Sequence, residues 1–211
     1  LADGDPSDCA GRWEFHFNPT CIPEIEVRQV VIEFNELGGE CANNGDSNED
    51  GTVNVLDVVG TVAHILGNGT LSASGECNAD SNADGALNVL DVVLTVNTIL
   101  GNNRASSAST VEIIKSSEGV NFVADGYVGA IQMTIEHGLD FDIDITNNTV
   151  LENVSASHTE GNKTTLIVVT PTDGELFVGT DSRFVISKVE AAGDDDYIKS
   201  EIADSYVLVS S

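Results

Sequence analysis

Hydrophobic residues follow two different rhythms along this chain. From Val53 to Leu66 the sequence is almost wholly apolar: Val53, Val55, Leu56, Val58, Val59, Val62, Ala63, Ile65 and Leu66, with polar breaks at Asn54, Asp57, Thr61 and His64. Asp57, Thr61 and His64 stand at i, i+4 and i+7, one narrow stripe along a helix. A second segment repeats the stripe with Asp91, Thr95 and Thr98. Helices with so narrow a polar stripe are expected to be buried nearly all round. Packing the two on each other hides one face of each, so the rest needs another surface. Valine is a mediocre helix former because its χ1 is restricted, so these helices should depend on tertiary contact. Gly67 and Gly101 follow the last apolar residues and read as C-terminal caps.

From Thr110 the rhythm becomes that of strands. Candidates are Val111–Lys115, Val120–Val123, Tyr127–Glu136, Leu139–Thr146, Val150–Ser155, Thr164–Thr170, Glu175–Val178, Arg183–Glu190 and Tyr206–Val209. Short strands separated by Gly, Asn and Asp turns indicate an antiparallel sandwich. Leu139, Phe141, Ile143 and Ile145 alternate with Asp140, Asp142 and Asp144, which predicts one buried and one acidic face. Asp194–Asp196 reads as a solvated loop. Before the helices, Trp13–Phe17 and the run Ile25, Val27, Val30, Ile32 and Phe34 read as short strands in an arm too small to form a core alone. The expected architecture is mixed: an extended N-terminal arm over 1–44, a small α-helical module over 45–102, a linker over 103–109 and an antiparallel β-sandwich over 110–211. Residues 69–78 are expected to be a loop joining the two halves of the module.

Those halves are one unit written twice. Gly45–Asn68 reads GDSNEDGTVNVLDVVGTVAHILGN and Ala79–Asn102 reads ADSNADGALNVLDVVLTVNTILGN. Each copy opens on a loop whose oxygens fall at positions 1, 3, 5, 7, 9 and 12, with Gly at position 6 for the sharp turn, which is the EF-hand calcium pattern. The first set is Asp46, Asn48, Asp50, the Thr52 carbonyl, Asn54 and Asp57, with Gly51 at the turn. The second is Asp80, Asn82, Asp84, the Ala86 carbonyl, Asn88 and Asp91, with Gly85. Carboxylates, amides and a carbonyl together suit Ca²⁺ better than Mg²⁺, so two Ca²⁺ ions are expected.

Position 12 is Asp rather than Glu, and no amphipathic helix leads into either loop. Both features, with the tandem repeat of NVLDVV, resemble the dockerin family, whose modules are two loop–helix calcium motifs. The resemblance implies that loop positions 10 and 11, here Val55–Leu56 and Val89–Leu90, belong to a surface that grips a partner cohesin. Polar pairs are common there in cellulosomal dockerins; the apolar pairs of this chain favour a greasier, more permanent contact. The β region looks like a cohesin or a carbohydrate-binding-module sandwich at the level of pattern.

Charge narrows the choice of partner. Eight Lys and Arg stand against 35 Asp and Glu, a net −27, and neither Lys nor Arg occurs between Arg28 and Arg104. That excludes a nucleic-acid grip through a basic surface and disfavours anionic membranes. Two Ca²⁺ ions would return four positive charges where basic residues are missing. No stretch is long and apolar enough to cross a membrane as a helix. Residue 1 is Leu, which fits a chain whose leader has been removed or the ordered part of a longer one.

Four cysteines, Cys9, Cys21, Cys41 and Cys77, allow three pairings. Cys9–Cys21 would close a short loop, and Cys41–Cys77 would staple the repeat. An even count beside extracellular-type calcium loops favours an oxidising compartment. Asn68, Asn147, Asn153 and Asn162 lie in sequons that could carry glycans on a secreted protein. A chain this rich in Asn and Thr also produces sequons by chance.

No catalytic constellation emerges. His16, His64, His137 and His158 are scattered, His64 reads as a plain surface residue, and no HExxH, GxSxG or phosphate loop is present. The chain is therefore expected not to be an enzyme. The first expectation is a secreted, calcium-binding structural subunit that associates with copies of itself into a filament or surface assembly. The alternative is an adaptor whose dockerin-like module binds a cohesin-like domain on another protein. A carbohydrate-binding role is weaker, because the β region shows no aromatic row.

Overall fold

Residues 41–101, 106–117, 119–146, 154–180 and 183–204 are described by a computed structural model. The arm expected over 1–44 is represented only by its last four residues, which are irregular, and the Tyr206–Val209 strand lies outside the described residues. Among the described residues three helices come first: α1 (Val55–Ile65), α2 (Ala73–Ala79) and α3 (Val89–Leu100). Nine strands follow: β1 (Thr110–Lys115), β2 (Gly119–Ala124), β3 (Ala130–His137), β4 (Ile143–Ile145), β5 (Ala156–Glu160), β6 (Lys163–Val169), β7 (Gly174–Gly179), β8 (Phe184–Ala192) and β9 (Tyr197–Asp204).

The strands hydrogen-bond in the order β4-β7-β2-β1-β9-β8-β3-β6-β5. β9 turns the corner: Tyr197 and Ile198 pair with β8, then Lys199–Asp204 pair with β1. The sheet thus folds on itself into a sandwich. Its pairings are antiparallel except β1–β9, which is parallel. Val111, Ile113, Phe122, Ile131, Met133, Ile135, Leu166, Val168, Leu176, Phe177 and Phe184 fill its interior.

One outer face of the sandwich is apolar as well. In β6, Leu166 and Val168 point into the sandwich, while Ile167 and Val169 join a second cluster with Ala130, Val154, Ala192 and the helices. A strand covered on both faces reads as the unbroken apolar run Leu166–Val169 rather than as an alternation. The cover is chiefly α3, which packs on β3, β6 and β8. Val89, Val92, Val93 and Val96 are fully buried, and each such side chain is worth roughly 1.5–3 kcal/mol. Residues 38–211 accordingly form one compact unit.

Several expectations need correction. The first two positions of each polar stripe face inward: Asp57, Thr61 and Asp91 are wholly buried and Thr95 nearly so, whereas His64 is half-buried and Thr98 exposed. The Thr95 hydroxyl donates to the Asp91 carbonyl and pairs with Ser81 Oγ, so the stripe is used by the module's own loops. α1 is not buried all round, since Val55, Leu56 and Val59 are 37%, 62% and 40% exposed. Most of the predicted 69–78 loop is α2, which runs one residue beyond it and is started by Ser72, whose hydroxyl accepts the Gly75 N–H. Seven residues are too short to show a helical period. The Leu139–Thr146 strand shrinks to β4, and Leu139 sits in a turn, 83% exposed, while Phe141 is buried. β5 and β9 have weak apolar alternation and were not expected. Asp194–Asp196 is a loop as predicted, and Gly67 and Gly101 take positive φ at the helix ends.

Candidate metal centres

Each candidate loop is shaped by its own acidic and amide side chains folding back on the backbone. Asp46 receives the N–H groups of Asp50 on Oδ1 (3.1 Å) and Gly51 on Oδ2 (3.0 Å). Asn48 Oδ1 accepts from Asp50 N, and Asp50 Oδ1 from Thr52 N. In the second loop Asp80 receives Asp84 N and Gly85 N, Asn82 receives Asp84 N, and Asp84 receives Ala86 N. Both loops turn through two left-handed residues two positions apart, Glu49 and Gly51 in one, Ala83 and Gly85 in the other. Gly at position 6 is the residue for which that backbone is free of strain.

Positions 9 and 12 double as the helix start. Asn54 and Asn88 are N-caps whose side-chain oxygens accept from Leu56 N and Leu90 N. Asp57 and Asp91 complete capping boxes by accepting the N–H of Asn54 and Asn88. Their other oxygens accept from Asn48 N and Asn82 N, so each closing carboxylate joins both ends of its loop. The cap amides donate to the position-7 carbonyls of Thr52 and Ala86. With its oxygen turned to the helix, position 9 would serve an ion through a water, as it often does in such loops.

Asp57 and Asp91 are wholly buried carboxylates whose bonds come from neutral groups. Residues 41–101 contain no Lys or Arg to pair with them. Burial first, then the nearby Asp80 and Asp84, hold the Asp91 carboxyl above its ordinary range against the pull of Asn88 and Asn82. A buried carboxylate without a counter-charge is costly, and a cation relieves it. Among the described residues no three His, Cys, Asp or Glu side chains close on one point. What each loop offers is a mixed set of carboxylate, amide and carbonyl oxygens, and that chemistry fits Ca²⁺.

The two loops are braced differently. In the first, Glu49 at position 4 accepts from Ser72 Oγ (2.6 Å) and Ser74 Oγ, tying the loop to the start of α2. These bonds, Ser72 first, hold its carboxyl below the usual range. The second loop has Ala83 there and is braced instead by the β-sandwich: Tyr197 Oη, at the start of β9, donates to Asn88 Oδ1 at 2.7 Å. Burial, then Glu190, Asp84 and Asp91, raise the pKa of this phenol and keep it a donor. No sequence signal pairs Tyr197 with Asn88, 109 positions apart. The entry to the first loop is fixed by the Cys41–Cys77 disulfide and by Asn43, whose amide donates to the Cys77 and Asp80 carbonyls. Cys9 and Cys21 lie outside the described residues.

Other sequence candidates disperse. His64 is half-buried and accepts the Leu71 N–H through Nδ1, and buried His137 bonds to Thr164 and Gly138. Asp140, Asp142 and Asp144 are exposed. Asn68 and Asn162 are exposed, whereas Asn147 and Asn153 lie outside the described residues.

No curated protein matches the chain. Among solved structures, a non-cellulosomal cohesin from the hyperthermophilic archaeon Archaeoglobus fulgidus is similar at 15% identity and a TM-score of 0.31, over 47% of this chain and 86% of that one. Residues 44–100, which hold both loops and all three helices, match the dockerin type I domain.

Proposed function

We propose that this chain is an extracellular, calcium-rigidified structural subunit that holds other chains through the exposed face of α1, and that its partners are copies of itself. One observation carries the reading: the same sequence has two fates. In the second repeat Val89, Leu90 and Val93 are buried under the β-sandwich; in the first, Val55, Leu56 and Val59 are open to solvent. A cluster of large aliphatic side chains left in water marks an interaction site. The chain itself carries a β surface that accepts this pattern. Exchange of that surface between copies would be head-to-tail and need not close, the condition for a filament. The Cys41–Cys77 disulfide supports an oxidising, extracellular setting, and the calcium-type donor sets support a rigid joint rather than chemistry on a substrate.

The second reading is an adaptor whose α1 face docks on a cohesin-like domain of another protein. It is favoured by the match to the dockerin type I domain and by the fact that the chain's own accepting surface is already covered by α3. Sedimentation velocity of the full chain at rising concentration, with calcium and with chelator, separates them. Growing polymers that need calcium, and that Leu56→Glu abolishes, support the subunit; a monomer at every concentration leaves the adaptor.

A further inference from the structure

The internal repeat provides its own control. Asn54 and Asn88 occupy equivalent places and make equivalent contacts: each caps its helix, donates its amide to the position-7 carbonyl, and gives its backbone N–H to the closing carboxylate. They differ in one bond. Asn88 Oδ1 also accepts the Tyr197 hydroxyl, which comes from the first residue of β9. Tyr197 opens the two-residue stretch of β9 that pairs with β8 before the strand crosses to β1.

From these contacts we propose that Tyr197 is a positioning residue for calcium in the second loop, and that this loop is a calcium-operated clasp between the repeat module and the β-sandwich. The hydroxyl fixes Asn88, and Asn88 in turn touches two of the loop's donors, the Ala86 carbonyl at 2.6 Å and Asp91 Oδ2 at 2.9 Å. An ion drawing those two oxygens inward sets the orientation of Asn88, and with it the seat of Tyr197. The clasp is continuous with the apolar contact behind it. Asn88 starts α3, and α3 carries Val89, Val93 and Val96 onto the sandwich, where Gly129 lets the backbone approach Val93. At the far end of the interface the Asn97 amide donates to the Asp194 carbonyl in the β8–β9 loop. Because coupling between two equilibria is reciprocal, calcium in loop two strengthens the grip on the β-sandwich, and that grip raises calcium affinity in loop two. Loop one lacks the tyrosine and carries the open α1 face, so its calcium shapes that face without bearing on Tyr197.

The proposal rests on both loops holding calcium. The test is calorimetric titration of the full-length chain with calcium alone, in two backgrounds. Asp50→Ala leaves loop two to report, and Asp84→Ala leaves loop one. Adding Tyr197→Phe should weaken uptake roughly three- to tenfold in the first background, the range one hydrogen bond spans, and leave the second unchanged. Its loss of melting temperature should also be larger in calcium than in chelator, which a merely structural hydroxyl would not produce. In the Asp50→Ala background, calcium should slow amide exchange at Tyr197 and Ile198 together with α3. Equal effects of Tyr197→Phe in both backgrounds, no effect in either, or protection of α3 without Tyr197 and Ile198 would overturn the clasp. If neither background takes up calcium, the reading of the loops falls and the clasp with it.

Discussion

Asp125 shows how a single side chain sets a local frame. Its carboxylate accepts the Ser109 hydroxyl and the N–H groups of Ser109 (2.7 Å) and Thr110 (3.0 Å), anchoring the start of β1. The Ser109 hydroxyl bond, the largest cause, and the backbone bond from Thr110 hold its pKa down to about 2. A folded value below the unfolded one, about 3.9, means that this stabilisation is complete above the unfolded value and is lost as pH falls toward 2. Urea denaturation between pH 5 and pH 2 should therefore show a smaller acid-linked loss for Asp125→Asn than for the parent. The carboxylate is exposed, so the difference should be modest. In the loops the residue-scale expectation is selectivity. Asp50 and Asp84 each supply a position-5 carboxylate in loops that share no donor. Asp50→Ala should remove one calcium from the titration and Asp84→Ala the other; two ions retained by either variant would overturn the donor assignment. These residues were legible in the sequence because loop position fixes backbone geometry over a dozen residues. Tyr197 and Glu49 were not, because their bonds depend on how distant elements meet.

At the scale of elements, α1 and α3 share the pattern NVLDVV and differ in what lies over them. The repeat therefore predicted two equally buried helices, and only the position of the β-sandwich breaks the symmetry. The same cause hid part of the β region. Strands covered on one side, such as β1, show their alternation, whereas β9 begins behind three aspartates and carries Ile198 and Ile202 among polar residues. The α3–sandwich contact has a tight point at Gly129, where an added Cβ would lie 2.5 Å from Val93 Cγ1 and 2.8 Å from Cγ2. Gly129→Ala should overpack this contact and destabilise the protein by about 1–3 kcal/mol. The loss should appear in thermal unfolding and in faster amide exchange along α3. Unchanged stability would mean that α3 can shift at little cost, and that the sandwich holds it less firmly than its buried valines imply.

For the whole molecule the subunit reading asks what would join one copy to the next once α3 is satisfied within its own chain. In that reading the exposed Val55, Leu56 and Val59 would supply one half of a joint, since leaving such side chains in water forfeits about 1.5–3 kcal/mol for each that would otherwise be fully buried. The other half would come from residues 1–36, where the alternation of Val27, Val30, Ile32 and Phe34 is a sequence pattern expected of a strand. The folded sheet ends on β4 and β5, and β5 is the longer edge, so an added strand from a neighbour has a place to pair. Deleting residues 1–36 should leave the Cys41–Cys77 disulfide, both loops and the β-sandwich folded, because residues 38–211 form a compact unit of their own. In the subunit reading the truncated chain then stops polymer growth while still titrating two calcium ions. Normal assembly by the truncated chain would place the joint wholly on the α1 face, and a full-length chain that stays monomeric at high concentration in calcium would replace the subunit with the adaptor.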